Sequence, residues 1–325
     1  MTGLSDSFQR PIDYLRISVT DRCNLRCIYC MPAEGINLLS HEDILSYEEI
    51  HQITVAAADL GIKKVRITGG EPLVRIGLSS LIRMLSQIEA IDDIALTTNG
   101  TLLSQYADEL KAAGLRRVNI SLDTLKPDKF KLITRGGDLD SVLEGIEAAG
   151  AAGLNPIKIN MVVMAGINDD ELIDFANKTI NEGWHVRFIE HMPFNREMAS
   201  SSFLSVNEMR ERLASLGALE PCTFKGNGPA KYYRLPQAQG TIGFITPVSE
   251  HFCFRCNRLR LTADGKLRPC LLSEQEIDLR QPLRQGISDE ELKRLIKKAA
   301  ESKPRQHNLA RGSVPQDRPF SQVGG

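Results

Sequence analysis

The sequence lacks an excess of charge of either sign, because its 325 residues include 40 lysines and arginines against 41 aspartates and glutamates. Proteins that bind nucleic acids or membrane surfaces concentrate cations. We therefore expect neither nucleic acid nor a membrane among the partners, and an anionic ligand would need a local cluster of cations. With 42% hydrophobic residues, the chain also lacks the composition of a disordered or fibrous protein.

Long apolar runs are missing too, and the sequence does not start with a basic stretch followed by an apolar segment. These absences argue against a membrane-spanning helix and against a secretion signal. Cysteine is sparse, and its odd number, seven, fits reduced thiols that serve as ligands better than a secreted disulfide framework. We therefore expect a cytoplasmic protein.

Three of the cysteines, Cys23, Cys27 and Cys30, stand within eight residues, directly after the strand-like run Tyr14–Val19. A 4Fe-4S cluster is normally held by four thiolates, so three thiolates leave one iron open to a small molecule. Structural zinc needs a closed set of four ligands, and the nearest histidine is His41. The spacing favours an iron-sulfur site, with zinc and a structural or disulfide role as alternatives.

From residue 14 to about 192, strand-like runs alternate with amphipathic helical stretches. The predicted strands are Leu15–Val19, Lys64–Thr68, Ile94–Thr98, Arg117–Leu122, Ile157–Val163 and Val186–Glu190. The predicted helices are Tyr47–Leu60, Ser79–Ile88, Ser104–Ala113, Ser141–Ala152 and Asp170–Asn181. This α/β alternation predicts parallel strands with right-handed crossovers, in an open sheet or in a full or partial barrel.

Side chains alternate along these strands, with one apolar face for the helices and one polar face. The polar face of the first five strands carries Arg16, Ser18, Arg66, Thr68, Thr97, Asn99, Asn119, Ser121, Asp123, Lys158 and Asn160. A closed eight-stranded barrel is filled with branched apolar side chains. A polar interior therefore predicts an incomplete barrel around a polar ligand, although a half-exposed sheet would show the same alternation.

The stretch Thr68-Gly-Gly-Glu-Pro72 follows the second predicted strand. Its two glycines would let the backbone approach a ligand closely, but alone the stretch could be a plain turn. Together with Cys23-x3-Cys27-x2-Cys30, in which Tyr29 precedes the last cysteine, it resembles the radical S-adenosylmethionine (SAM) enzymes. The resemblance implies a partial (β/α)6 barrel and a 4Fe-4S cluster whose open iron binds SAM. A 5′-deoxyadenosyl radical would then take hydrogen from the substrate.

A small-residue, polar stretch at 193–204 predicts a link between a radical SAM core at 1–200 and a smaller α+β domain at 201–325. In the second part we expect a helix at Val206–Leu216 and strands at Lys231–Leu235 and Thr241–Ile245.

The spacing Cys253-x2-Cys256-x13-Cys270 in the second part fits zinc about as well as an iron-sulfur cluster, and Cys222 and His251 could complete a zinc site. The repetition of a three-thiol set favours a second cluster with an open iron.

Arg258 and Arg260 follow directly, with Leu259 between them. Two guanidiniums beside a metal centre fit an anionic ligand, although alternating arginines also occur on solvated strands. The stretch from Cys253 to Cys270 is similar to the branch of the family that cyclises GTP in the first step of molybdenum cofactor synthesis.

The resemblance assigns roles to individual residues. It implies that the first cluster is held by Cys23, Cys27 and Cys30, and the second by Cys253, Cys256 and Cys270. The implied SAM contacts are Tyr29, Gly70, Ser121 and Met192. The implied GTP contacts are Arg16, Arg66, Thr97, Lys158, Arg258, Leu259 and Arg260. Arg258 and Arg260 are also the candidate catalytic residues, and the open iron of the second cluster would meet the guanine base.

The resemblance also has implications for the partners and for the end of the sequence. It implies an electron donor such as flavodoxin or ferredoxin, cyclic pyranopterin monophosphate synthase as the next enzyme of the pathway, and assembly into a homodimer. Gly324 and Gly325 would reach into the active site, with Phe320 and Val323 where the family pattern has Met and Ile. The alternatives are a peptide-modifying radical SAM enzyme with a second cluster, and a non-catalytic zinc or electron-transfer protein.

Overall fold

One 12-stranded sheet runs through the molecule. The structure is a computed structural model, which describes residues 3–192, 203–224, 228–307, 309 and 318–323. The strands are β1 Tyr14–Ser18, β2 Lys64–Thr68, β3 Asp93–Thr98, β4 Arg117–Ser121, β5 Lys158–Val163, β6 His185–Glu190, β7 Glu220–Pro221, β8 Lys231–Arg234, β9 Thr241–Ile245, β10 Arg258–Leu261, β11 Lys266–Arg268 and β12 Ile277–Asp278. The helices are α1 Tyr47–Asp59, α2 Leu78–Ser86, α3 Leu103–Ala112, α4 Pro127–Thr134, α5 Leu139–Ala151, α6 Leu172–Asn181, α7 Val206–Leu213, α8 Arg280–Arg284 and α9 Asp289–Glu301.

Strands β1 to β6 lie side by side in chain order, and every neighbouring pair is parallel. Each connection between them carries at least one helix, as parallel pairing requires. The predicted partial (β/α)6 barrel is thereby confirmed. The short helix α4 was not predicted, because its eight residues give few apolar repeats. No helix in the described part of the chain is long and apolar enough to cross a bilayer.

The second half of the chain extends this sheet at both ends. Strand β10 pairs in parallel with β1, while β9 pairs in parallel with β6. Short antiparallel strands then continue outward, β11 and β12 on one side and β8 and β7 on the other. The division into domains at residue 200 stays a prediction, and its expected link at 193–204 lies mostly outside the described residues.

The apolar face of the strands is buried, as predicted. Leu15, Ile17, Val65 and Ile67 are at most 1% exposed and belong to one hydrophobic core that also includes the inward faces of the helices. The opposite, polar face lines an internal cavity and is not a half-exposed surface. The apolar contacts on the helix side supply most of the stabilisation, since burial of each large aliphatic side chain contributes about 1.5–3 kcal/mol.

One carboxylate connects the end of β6 to the second half of the chain. Glu190 is 1% exposed and accepts hydrogen bonds from the backbone N–H groups of Val206 (3.2 Å), Val248 (2.9 Å) and Ser249 (3.0 Å). The Ser249 hydroxyl donates to the same carboxylate. Buried N–H groups without an acceptor are costly, so this side chain stabilises the junction.

We predict that Glu190→Gln lowers the free energy of unfolding by about 1–3 kcal/mol, because the amide NH2 of Gln would face donors in place of an acceptor. Urea denaturation followed by circular dichroism measures the change. The matched control is Glu211→Gln, at an exposed position on α7. Equal stability of the two variants would contradict the prediction.

Candidate active site

The cavity lies inside the curved sheet, and both halves of the chain line it. One part of its wall comes from β1 to β6 and from the residues just after β4, namely Tyr14, Arg16, Arg66, Thr97, Ser121, Asp123, Asn160, Val162, Arg187, Ile189 and Glu190. Another part comes from the second half of the chain and includes Cys253, Cys256, Arg258, Arg260, Cys270 and Lys303. Tyr29 and Met192 also lie on the wall. The structure therefore brings most of the predicted site residues to a single cavity.

The first cysteine set forms a compact loop. The N–H of Cys30 donates to the carbonyl of Cys27 (2.9 Å), and the N–H of Leu25 donates to the sulfur of Cys23 (3.4 Å). Burial raises the pKa of Cys23 to about 11 and that of Cys30 to about 12. These thiols are protonated at neutral pH unless a metal takes the place of the proton. A backbone N–H directed at sulfur, and thiols free of disulfides, fit an iron-sulfur cluster.

The glycine-rich stretch after β2 packs directly against the start of the cysteine loop. The N–H of Gly70 donates to the carbonyl of Thr20 (2.7 Å), and the N–H of Glu71 donates to the carbonyl of Arg22 (2.8 Å). A Cβ atom on Gly70 would lie 2.3 Å from the carbonyl oxygen of Arg22. Gly70 does not belong to the cavity wall described above, and its contact explains why the two motifs occur together.

Tyr29 and Asp123 connect the cysteine loop to the ends of the strands. The Tyr29 hydroxyl donates to Asp123 (2.8 Å), whose other oxygen accepts from the N–H of Val162 (2.8 Å). Burial raises the pKa of Asp123 to about 6. Tyr29, Ser121 and Met192 all line the cavity, which is consistent with one ligand touching all three.

Buried cations lie at the next part of the cavity wall or directly behind it. Burial and the nearby Arg187, Arg117 and Arg66 lower the pKa of Lys158 to about 6. Burial also lowers the pKa of Arg187 to about 10. The sequence prediction missed Arg187, although strand alternation through β6 would have placed it on the polar face. Its guanidinium donates to Asn119 (2.6 Å).

Lys158 is set back from the wall. Its ammonium lies 4.6 Å from the ring centre of Phe224 and 5.6 Å from that of Tyr232. Several polar atoms at the cavity have no hydrogen-bond partner among the described residues, namely Tyr14 Oη, Arg66 Nε, Thr97 Oγ1, Asn160 Oδ1 and Arg187 Nε. Buried polar groups are normally satisfied, so this end of the cavity is suited to a polar, anionic ligand.

The second cysteine set lies at the other part of the wall. Arg258 donates to the sulfur of Cys256 (3.6 Å), and the N–H of Leu272 donates to the sulfur of Cys270 (3.5 Å). Burial disfavours the Cys256 thiolate, but the Arg258 and Lys303 cations outweigh it and lower the pKa to about 6. This donor set also fits a cluster.

The structure gives little support to a zinc site at the second cysteine set. The backbone of Cys222 pairs with Tyr232 on the β7–β8 hairpin, and neither Cys222 nor His251 lines the cavity. The His251 ring instead contacts the His307 ring at 5.8 Å. Within the described ranges, no three His, Cys, Asp or Glu side chains are arranged to hold a single ion, whereas a cubane spreads its thiolates over separate irons.

Two further predictions about site residues have different outcomes. Leu259 is fully buried in the hydrophobic core between its arginine neighbours, so its side chain does not face the cavity, and only its backbone is available to a ligand there. Phe320 does line the cavity, and Val323 is buried. Gly324 and Gly325 lie outside the described residues, so the proposed role of the tail stays a prediction.

We predict that Gly70→Ala reduces the iron bound by the first cysteine set after anaerobic reconstitution, because the added methyl group displaces the cysteine loop from Arg22 onward. Iron and sulfide analysis measures the loss, and overpacking of this kind costs about 1–3 kcal/mol of stability. Gly3→Ala is the control, since a Cβ there meets nothing within 4 Å. Full iron content in Gly70→Ala would be incompatible with this account.

Comparison with known proteins agrees with the two-part organisation of the site. Residues 17–179 match the model of the radical SAM superfamily, and residues 184–309 match that of Molybdenum Cofactor Synthesis C. The chain is 53% identical over 325 residues to the GTP 3′,8-cyclase of Heliobacterium modesticaldum, covering 98% of this chain and 99% of that protein. It is 54% identical to the GTP 3′,8-cyclase of Pelotomaculum thermopropionicum, covering 99% and 100%.

Among solved structures, Streptococcus suis SuiB bound to S-adenosylmethionine has a similar fold. The TM-score is 0.62 at 15% identity, with 84% of this chain and 64% of SuiB covered. At this identity the similarity concerns the fold alone. The sequence matches extend over nearly the whole length and include both cysteine sets. The chain therefore belongs to the radical SAM superfamily and, within it, to the GTP 3′,8-cyclase family.

Proposed function

We propose that this protein is a radical SAM lyase that converts GTP to (8S)-3′,8-cyclo-7,8-dihydroguanosine 5′-triphosphate. This reaction is the first step of molybdenum cofactor biosynthesis. The observation that carries the proposal is the identity of 53–54% to GTP 3′,8-cyclases over nearly the whole chain. The cavity, which is lined by Tyr29 of the first cysteine loop, by buried cations and by the second cysteine set, supports it independently.

Two 4Fe-4S clusters are required, one on Cys23, Cys27 and Cys30 and one on the second cysteine set. When bound, the first cluster and SAM supply hydrogen-atom abstraction at ribose C3′, which the formation of a bond to guanine C8 requires. The protein orients SAM, with Tyr29, Ser121 and Met192 on the cavity wall and Gly70 shaping the loop. Closure of the cavity around the substrates would protect the radical from side reactions with water.

The buried cations orient GTP. A triphosphate carries about four negative charges, and charge-assisted hydrogen bonds to guanidinium groups are the strong ones. Arg16 on β1 is the register neighbour of both Arg260 on β10 and Arg66 on β2. A continuous row of cations therefore crosses three strands, with Thr97, Lys158 and Arg187 further along the sheet. Arg258 and Arg260 are next to the second cysteine set, where the guanine base would lie.

The proposal also covers the partners of the protein and its location in the cell. Reductive chemistry needs an external one-electron donor, for which a flavodoxin or a ferredoxin is suitable, and cyclic pyranopterin monophosphate synthase would use the product. We also propose a cytoplasmic homodimer. The cytoplasmic location is supported by the seven cysteines, none of which forms a disulfide.

The proposal predicts that the reduced, reconstituted protein forms 5′-deoxyadenosine from SAM in a GTP-dependent manner, together with a cyclised nucleotide. Anaerobic incubation followed by chromatography and mass spectrometry measures both products. GTP deuterated at C3′ should transfer deuterium to the deoxyadenosine, whereas ATP should yield no cyclised product. Equal deoxyadenosine formation without GTP, and no cyclised nucleotide, would refute the function.

Lys158 generates a separate pH prediction. Its pKa is about 6 without ligand, and a bound triphosphate favours the charged form, so binding takes up a proton above pH 6. The apparent affinity for GTP should therefore decrease as the pH rises from about 6 to about 8. Titration calorimetry in buffers of different ionisation enthalpy measures the number of protons taken up when GTP binds.

The terminal phosphate of GTP titrates in the same range, so the comparison of variants isolates the contribution of Lys158. Lys158→Met should bind GTP at least about tenfold more weakly near pH 6 and take up fewer protons. Lys131→Met, at an exposed position on α4, should behave like the unmodified protein. If Lys158→Met takes up as many protons as Lys131→Met, Lys158 is not a phosphate ligand.

A further inference from the structure

A buried lysine from outside both cysteine motifs connects the start of β10 with the residue that follows β11, close in sequence to Cys256 and Cys270. Lys303 follows α9 and is 3% exposed. Its ammonium donates to the carbonyl of Arg258 (2.7 Å) and to the carbonyl of Pro269 (2.5 Å). Arg258 comes two residues after Cys256, and Pro269 directly precedes Cys270. One side chain thus connects the two segments that carry two of the three cysteines.

The third cysteine is held through its backbone carbonyl by an arginine from the beginning of the chain. Arg10 donates to the carbonyl of Cys253 (2.6 Å), and also to the carbonyls of Arg305 (2.9 Å) and Pro304 (2.7 Å). The buried Asp6 pairs with Arg10 (2.5 Å) and orients its guanidinium. Arg10 and Lys303 therefore anchor segment 303–305 to all three cysteine-bearing pieces of the chain.

The two cations differ in how their charge is balanced. Arg10 is neutralised by Asp6, whereas Lys303 makes no ion pair with a carboxylate among the residues that the structure describes. A buried ammonium is costly without a neighbouring anion. The two carbonyls that accept from the Lys303 ammonium belong to residues within two positions of Cys256 and Cys270. A 4Fe-4S core with three thiolates is an anion and gains further negative charge when it is reduced.

We propose that Lys303 is a positioning residue and the counter-charge of the second cluster. It fixes Cys256 and Cys270 through their neighbouring carbonyls, Arg10 does the same for Cys253, and the ammonium stabilises the reduced cluster. This inference rests on the proposed function, because it requires a cluster on the second cysteine set. A nearby cation favours the more negative redox state, so Lys303 raises the reduction potential.

The experiment uses the full chain with Cys23→Ala, Cys27→Ala and Cys30→Ala, so that iron binds only at the second set. In this background we compare Lys303→Met, Lys303→Arg and Lys297→Met, the last at an exposed position on α9. We measure the iron and sulfide content and the rate of iron loss to a chelator. A redox titration followed by electron paramagnetic resonance gives the midpoint potential. Circular dichroism monitors the folding of each variant.

Lys303→Met should lose iron faster and should be at least about tenfold harder to reduce, which is 59 mV for one electron. Lys303→Arg retains the charge and the donors, so its reduction potential should be close to that of Lys297→Met. A potential and a rate of iron loss in Lys303→Met equal to those of Lys297→Met would overturn the inference.

If Lys303→Met does not fold, Lys303→Gln, which retains a donor without charge, is used in its place. Its reduction potential and its rate of iron loss are then compared with those of Lys297→Met. Failure of the background protein to bind a cluster would instead refute the proposed function, and this inference with it.

Discussion

Positive charge buried inside the curved sheet is the constraint on which the rest of the structure depends. Arg16, Arg66, Lys158, Arg187 and Arg260 all have pKa values lowered by burial, which means that their charged forms are held at a cost. The apolar contacts between strands and helices outside the barrel must offset this cost. A polyanionic ligand that neutralises these groups should stabilise the fold as well as occupy the site.

The sequence motifs depend on each other because they share backbone contacts. The glutamate of the glycine-rich stretch, Glu71, accepts from the N–H of Asn99 (2.7 Å) and from the hydroxyl of Thr98 (2.8 Å) at the end of β3. Its own N–H donates to Arg22 at the start of the cysteine loop. The cysteine loop is therefore positioned by two neighbouring strands, and the chemistry of the thiols depends on packing that involves no metal.

Periodicity was sufficient to predict eight strands, six helices and the polar face, since local alternation reports directly on burial. It failed where contacts join distant parts of the chain. The pairing of β10 with β1 and the contacts of Lys303 and Arg10 leave no periodic signal, because each depends on tertiary packing alone. Arg187 is a different case, since extending the alternation through β6 would have found it. Leu259 was assigned to GTP with its arginine neighbours, although the same alternation places its side chain in the core.

The parallel pairing of Tyr14 with Arg258 has a consequence for how the protein is made. During translation β1 emerges early, but the strand that covers its outer edge is synthesised only after the whole (β/α)6 region. Until then β1 presents an unpaired edge, which is a site for aggregation. Contacts of such long sequence separation also slow folding. The outer edge of β1 therefore stays unpaired until the segment with the second cysteine set has been synthesised.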